Sequence, residues 1–246
     1  MGVRSLFGFF MAFIRAVLFY LTIFSGMIIL GTPYIIYKGT FCRRKNEITN
    51  VCNFYFRYVV FKLFGIKVKV EGAENIPKDR GFVIVANHMS FLDIPVFWPS
   101  IGNAAFVAKA ALWKAPVFGW VLDSIGCIPV HKNPRKNADM GKLIRDRIDH
   151  NYNIVIFPEG HRSADGKLLP FQNGIFKMAK ENGLPLVPVT LVGTGKCLSK
   201  VKWAMNPGEV RIIVHPLQAS ESYADKTAVQ LRDEIHDIIE KDLKEA

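Results

Sequence analysis

The 246-residue chain predicts an α/β fold, a mixed central sheet of about seven strands covered by helices, with an N-terminal hydrophobic helical membrane anchor. Three observations carry that prediction. Short apolar runs bounded by turn residues recur from residue 66 onward, helix-period segments lie between several of them, and residues 16–37 form 22 consecutive uncharged positions. Strands alternating with helices argue for a sheet covered on both faces. About 20 apolar residues suffice to cross a bilayer core. Half of all residues are hydrophobic and only 22% are charged, which excludes a disordered chain.

Composition divides the chain near Gly65 into a membrane-associated helical segment, 1–64, and an α/β domain, 65–246. Arg15 interrupts the apolar run, and Gly26, Gly31 and Pro33 punctuate its second half. A spanning helix and a segment that dips into the membrane and returns therefore both fit. The stretch is too long for a secretory signal and no A-x-A-like cleavage site follows it, so it reads as an uncleaved anchor. If it spans, Lys38, Arg43, Arg44 and Lys45 outweigh Arg4 and the amino terminus, placing the C-terminal side and an active site there in the cytoplasm. In residues 51–64, Val51, Phe54, Tyr55, Tyr58 and Val59 share one helical face. That face suits an interfacial helix or a core helix equally.

The domain itself reads as strands at 66–70, 82–86, 104–108, 127–130, 154–157, 186–192 and 210–214. The first alternates as a half-exposed strand, and the second is a continuous apolar run of the buried kind. Helical patterns occupy 92–97, 116–123, 138–150, 175–181 and 221–244. The net charge of +11 lies wholly in residues 1–150, while 151–246 balance to zero. Such a basic half attracts nucleic acid and anionic lipid alike. Cys42, Cys52, Cys127 and Cys197 show no CxxC or Cys/His spacing, so they read as ordinary thiols in a reducing compartment, and no metal site is expected.

Two polar constellations sit where chemistry gathers in such sheets, beyond the carboxyl ends of strands. The first is Asn87-His88-Met89-Ser90-Phe91-Leu92-Asp93. Ser90 and Asp93 match a capping box, which gives Asp93 a purely structural reading. If His88 lies in the loop before that cap, Asp93 also points back toward it. The carboxylate would then fix the tautomer and leave the other imidazole nitrogen free as a general base. The second is Phe157-Pro158-Glu159-Gly160-His161-Arg162-Ser163. Gly160 permits a tight turn, Arg162 offers a fork suited to phosphate, and Glu159 could accept from substrate hydroxyls. A surface turn with a local Glu–Arg pair is the plainer reading.

Together these residues resemble the 1-acyl-sn-glycerol-3-phosphate acyltransferases, or lysophosphatidate acyltransferases. Asn87, His88 and Asp93 match the family's Asn-His-x4-Asp motif, and residues 157–163 match Phe-Pro-Glu-Gly-Thr-Arg-Ser at six of seven positions, with His161 in the Thr place. Residues 126–132 are similar to Gly-x-Ile-Phe-Ile-x-Arg, Val187-Pro188-Val189 to the apolar Val-Pro-Val motif, and Lys109 to the family's lysine in that stretch. The departures are Lys132 for Arg, which keeps charge without the bidentate fork, Pro129, and Gln172 where the family often has Lys. The resemblance implies His88 as base and Asp93 as its orienting partner. It also implies Lys109, Lys132 and Arg162 at the acceptor phosphate, with Glu159 and Gly160 at the glycerol part. The implied reaction moves a fatty acyl group from acyl-CoA or acyl carrier protein to the sn-2 hydroxyl of lysophosphatidic acid, giving phosphatidic acid. No cofactor, metal or nucleic acid takes part, and the bilayer is a partner because acceptor and product reside there. Another lysophospholipid as acceptor and a membrane-bound thioesterase or lipid hydrolase, with water, Ser90 or Ser163 accepting the acyl group, are the alternatives. The missing G-x-S-x-G elbow counts against the hydrolase.

Overall fold

A computed structural model describes residues 3–33, 47–115, 117–163 and 165–245. The Lys38, Arg43, Arg44 and Lys45 cluster that bears on orientation, and Cys42, lie outside these residues. Helix α1 (Val3–Gly26) runs into a π-helical turn, Met27–Gly31. Helix α2 (Glu47–Phe54) continues through a second π-helical turn, Tyr55–Val60, into α3 (Phe61–Phe64). Gly65, at φ 67°, ends it in the left-handed conformation that glycine adopts without steric cost.

The sheet is built from β1 (Ile66–Glu71), β2 (Val83–Ala86), β3 (Ala104–Lys109), β4 (Ile128–Val130), β5 (Asn153–Ile156), β6 (Leu186–Val192) and β9 (Gly208–Val214). Their order is β1-β9-β6-β2-β5-β3-β4. The last five are mutually parallel, whereas β9 pairs antiparallel with β6 and carries β1 parallel to itself. Hence the sheet is mixed, and the carboxyl ends of β2, β5, β3 and β4 lie side by side along one edge. Each strand feeds two cores, because successive side chains point to opposite faces. Ile84 and Ala86 pack with Phe19, Ile23, Phe56 and Val60 of the N-terminal helices. Val83 and Val85 pack with α6 (Met140–Asp149), α7 (Asn173–Asn182) and α9 (Ala228–Glu245). Packing thus crosses the compositional boundary near Gly65.

Helix α1 buries a single stripe, Ala12, Ala16, Phe19 and Ile23, at the spacing of one helical face. Its other face exposes Phe7, Phe10, Leu18, Leu21, Ile28 and Ile29. Residues 6–31 are long and apolar enough to cross a membrane. Arg15, the interruption in that run, donates from Nη2 to the carbonyl of Phe64 at 3.0 Å, where the end of α3 presents partial negative charge. On α2 the face expected from the sequence is exposed at Phe54, Tyr58 and Val59, while Phe56 and Val60 are buried. The buried face is that of a core helix, and the opposite face is left exposed.

Two local expectations are corrected. The helix foreseen at 92–97 is a 3-10 turn, Phe91–Asp93, followed by α4 (Phe97–Ile101), since Pro95 has no N–H to carry an α-helical ladder through it. The helix foreseen from 221 begins at Ala228 after a 3-10 turn, Ser220–Tyr223. Thr227 sets that start: its Oγ1 accepts from Gln230 N at 3.2 Å while Gln230 Oε1 accepts from Thr227 N at 2.8 Å, a reciprocal cap. Helix α8 (Thr194–Cys197) and the small hairpin of β7 (Leu198–Ser199) and β8 (Ala204–Met205) were not foreseen. The remaining helix, α5 (Phe118–Ser124), falls where expected.

Candidate active site

Beyond β2 the chain leaves the sheet at Asn87, whose buried amide clasps β6: Nδ2 donates to Leu191 O at 2.9 Å and Oδ1 accepts from Leu191 N at 2.7 Å. This clasp fixes the point from which the next residue projects. His88 follows, with Asp93 Oδ2 2.7 Å from its Nδ1. The same oxygen accepts from Met89 N at 2.7 Å and Ser90 N at 2.8 Å. Asp93 thus both completes the capping box of Ser90 and partners the imidazole. Two backbone donors hold a buried carboxylate, which in turn holds Nδ1 and leaves Nε2 as the proton-accepting atom. The His88 ring stacks on Phe157 at 4.0 Å between centroids, 14° from parallel.

Phe157 opens the second motif, so the two constellations meet. Ser163 N donates to His88 O at 2.9 Å, and His88 N donates to Glu159 Oε1 at 2.6 Å. Glu159 Oε2 accepts from Leu169 N at 3.0 Å. Expected at substrate hydroxyls, Glu159 is instead 1% exposed, with each oxygen turned to a backbone N–H. Burial pushes its carboxyl up to about 7, those two N–H groups opposing the shift and the Asp93 charge adding to it. Gly160 stands at φ 74° with the Gln172 amide end packed where a Cβ would be; the backbone conformation favours glycine, while the flexible Gln172 side chain could yield the space.

Arg162 is half-buried. Its guanidinium lies against the Tyr20 hydroxyl of α1, and its carbonyl accepts from Lys200 Nζ at 2.8 Å. Lys109 closes β3 opposite Val130, and Lys132 follows two residues later. Both are exposed, and neither forms an ion pair among the described residues. Three cations therefore stand at the ends of β5, β3 and β4, on the edge that carries His88 at the end of β2. Ser90 and Ser163 are buried and committed, Ser90 Oγ donating to Leu198 O at 2.8 Å and Ser163 Oγ to Asp165 Oδ1 at 3.1 Å.

A family model described as Acyltransferase matches residues 67–192, and the 1-acyl-sn-glycerol-3-phosphate acyltransferase of Borreliella burgdorferi is 33% identical over 70% of this chain and 72% of its own. The chain belongs to the 1-acyl-sn-glycerol-3-phosphate acyltransferase family. The chloroplastic family member of Brassica napus is 32% identical over 80% of this chain and 57% of its own. The chain thus spans about half the length of the first curated relatives it matches. The crystal structure of the family's PlsC from Thermotoga maritima superposes with a TM-score of 0.81 at 25% identity, covering 96% of both chains. The sheet, its surrounding helices and the N-terminal apolar helix are therefore those of a solved family member.

Sequence reasoning missed Asn87 as a structural clasp, Tyr20 as the neighbour of Arg162, and the β7–β8 hairpin as a wall of the site. The Asn of the first motif was the one available signal. Nothing in the sequence links residue 20 to residue 162.

Proposed function

We propose that this protein transfers a fatty acyl group from an acyl thioester to the sn-2 hydroxyl of lysophosphatidic acid at a membrane surface, forming phosphatidic acid. The observation that carries the reading is the His88–Asp93 pair with Nε2 left for a substrate. The acceptor oxygen attacks the thioester carbonyl carbon as its proton passes to Nε2. The carbon–sulfur bond then breaks, and the leaving thiolate recovers that proton from the imidazolium, whose charge Asp93 balances. The acceptor's own hydroxyl is the nucleophile, so no protein acyl intermediate forms and the two buried serines have no part. Nor does any step call for a metal or cofactor.

Arg162, Lys109 and Lys132 bind the acceptor phosphate. Glu159 serves from beneath, holding the backbone of His88, and Gly160 lets the chain pass close to the glycerol part. The donor is acyl-CoA or acyl carrier protein, which share the thioester. The exposed apolar face of α1 seats the protein in the bilayer where acceptor and product reside. The site faces the cytoplasm, a reading supported by the Lys38, Arg43, Arg44 and Lys45 cluster under the positive-inside rule. Competing lysophosphatidic acid against lysophosphatidylcholine and lysophosphatidylglycerol tests the acceptor. Preference for the free phosphomonoester is expected, and preference for a capped headgroup overturns that part.

A further inference from the structure

The β7–β8 hairpin joins three parts of the site. Its β7 carbonyl Leu198 O accepts from Ser90 of the His88–Asp93 turn. Lys200 Nζ holds the carbonyl of Arg162. Trp203 packs on Tyr20 of α1 at 6.2 Å between ring centroids, and Tyr20 packs on Phe91 at 5.5 Å. Yet the tip is apolar and faces outward, with Val201 61% and Trp203 60% exposed. Trp203 also holds φ at 46°, a conformation costly for a bulky residue that persists only where the surroundings enforce it.

An exposed valine and tryptophan alternating with Lys200 and Lys202 match what an interfacial segment needs: an apolar body, an indole N–H for the headgroup level, and cations for anionic lipid. Through Tyr20 the tip is continuous with the exposed apolar face of α1. We propose that the β7–β8 tip is a second lipid contact, inserting Val201 and Trp203 into the interfacial layer of an anionic bilayer beside α1. The proposal rests on the membrane seating given under Proposed function. It places the bilayer against the wall of the site that holds Arg162, so that an acceptor phosphate at headgroup level meets its cations without leaving the interface.

The test compares the native protein with Val201→Ser and with Val201→Ser/Trp203→Asn, asparagine being tolerant of positive φ. Binding is read by co-sedimentation with phosphatidylcholine vesicles with and without phosphatidylglycerol. Acyl transfer is read with vesicle-borne lysophosphatidic acid and with a short-chain, water-soluble homologue. The expected result is a roughly tenfold weaker partition of the double variant into anionic vesicles, an intermediate value for Val201→Ser, and parallel loss of transfer to the vesicle-borne acceptor. Transfer to the soluble acceptor stays within about twofold for Val201→Ser. Native binding with unchanged partition of both variants overturns the second contact while leaving α1 as the anchor. Equal loss with both acceptors for Val201→Ser overturns it as well, making the tip structural. Failure of the native protein to bind vesicles overturns the membrane seating itself.

Discussion

Asp93 illustrates how one side chain can close a cap and hold an imidazole at once. Its Oδ2 takes the N–H groups of Met89 and Ser90 together with His88 Nδ1, so the capping box seen in the sequence and the orienting of His88 are a single arrangement. Asp93→Asn keeps an oxygen for the backbone but cannot balance an imidazolium. A kcat about 10³-fold lower with little change in acceptor KM is expected, checked by steady-state kinetics against a thermal melt. Glu159 makes a second residue-scale prediction. Its carboxyl titrates near 7 in the fold against 4.5 ordinarily, so the native protein loses stability from this group as pH rises between those values. Glu159→Gln cannot ionise, but it leaves one of the two N–H groups without an acceptor, at about 1–3 kcal/mol. The variant should therefore melt lower at pH 5, with the deficit shrinking at pH 8. A deficit that widens with pH contradicts the burial argument. The motif positions were legible because they abut strand ends, but the inward direction of Glu159 was not, since a Glu in a turn is compatible with either side.

Among the elements, α1 shows how an apolar helix can dock and still present an apolar face. Its Gly26 lies against the Tyr55 ring, and the Tyr55 hydroxyl donates to Thr22 O at 2.6 Å. Gly26→Val would drive the ring out and part α1 from the π-helical turn of α2, costing about 1–3 kcal/mol. Faster proteolysis after α1 and a lower melting temperature would report it, while an unchanged protein would mean that α1 is not packed on this side. Strands were legible from their apolar runs. Boundaries were read less well: the start of α9 follows from Thr227 and Gln230, a capping pair available in the sequence but outweighed by the charged helical pattern that begins at 221. The hairpin 198–205 was invisible because its strands span two residues each and its turn, Lys200-Val201-Lys202-Trp203, has neither glycine nor asparagine.

Across the molecule, the edge of the sheet organises the chemistry. Four parallel strand ends bring together residues from 88 to 162, and the antiparallel return of β9 carries β1 and the N-terminal helices onto the same core. Sequence spacing located each motif. It could not reveal that Ser163 N bonds to His88 O, or that α1 reaches Arg162, because such contacts depend on tertiary packing alone. Of the basic first half, Lys109 and Lys132 stand exposed at this edge.

The most direct test of the account measures free thiol and lipid products together, using acyl-CoA and lysophosphatidic acid in detergent, for the native protein and His88→Ala. The account predicts one phosphatidic acid per thiol released by the native protein, and a rate lower by about 10²–10⁴ in the variant with its melting temperature retained. Thiol release accompanied by free fatty acid, or a variant as fast as the native protein, would contradict it.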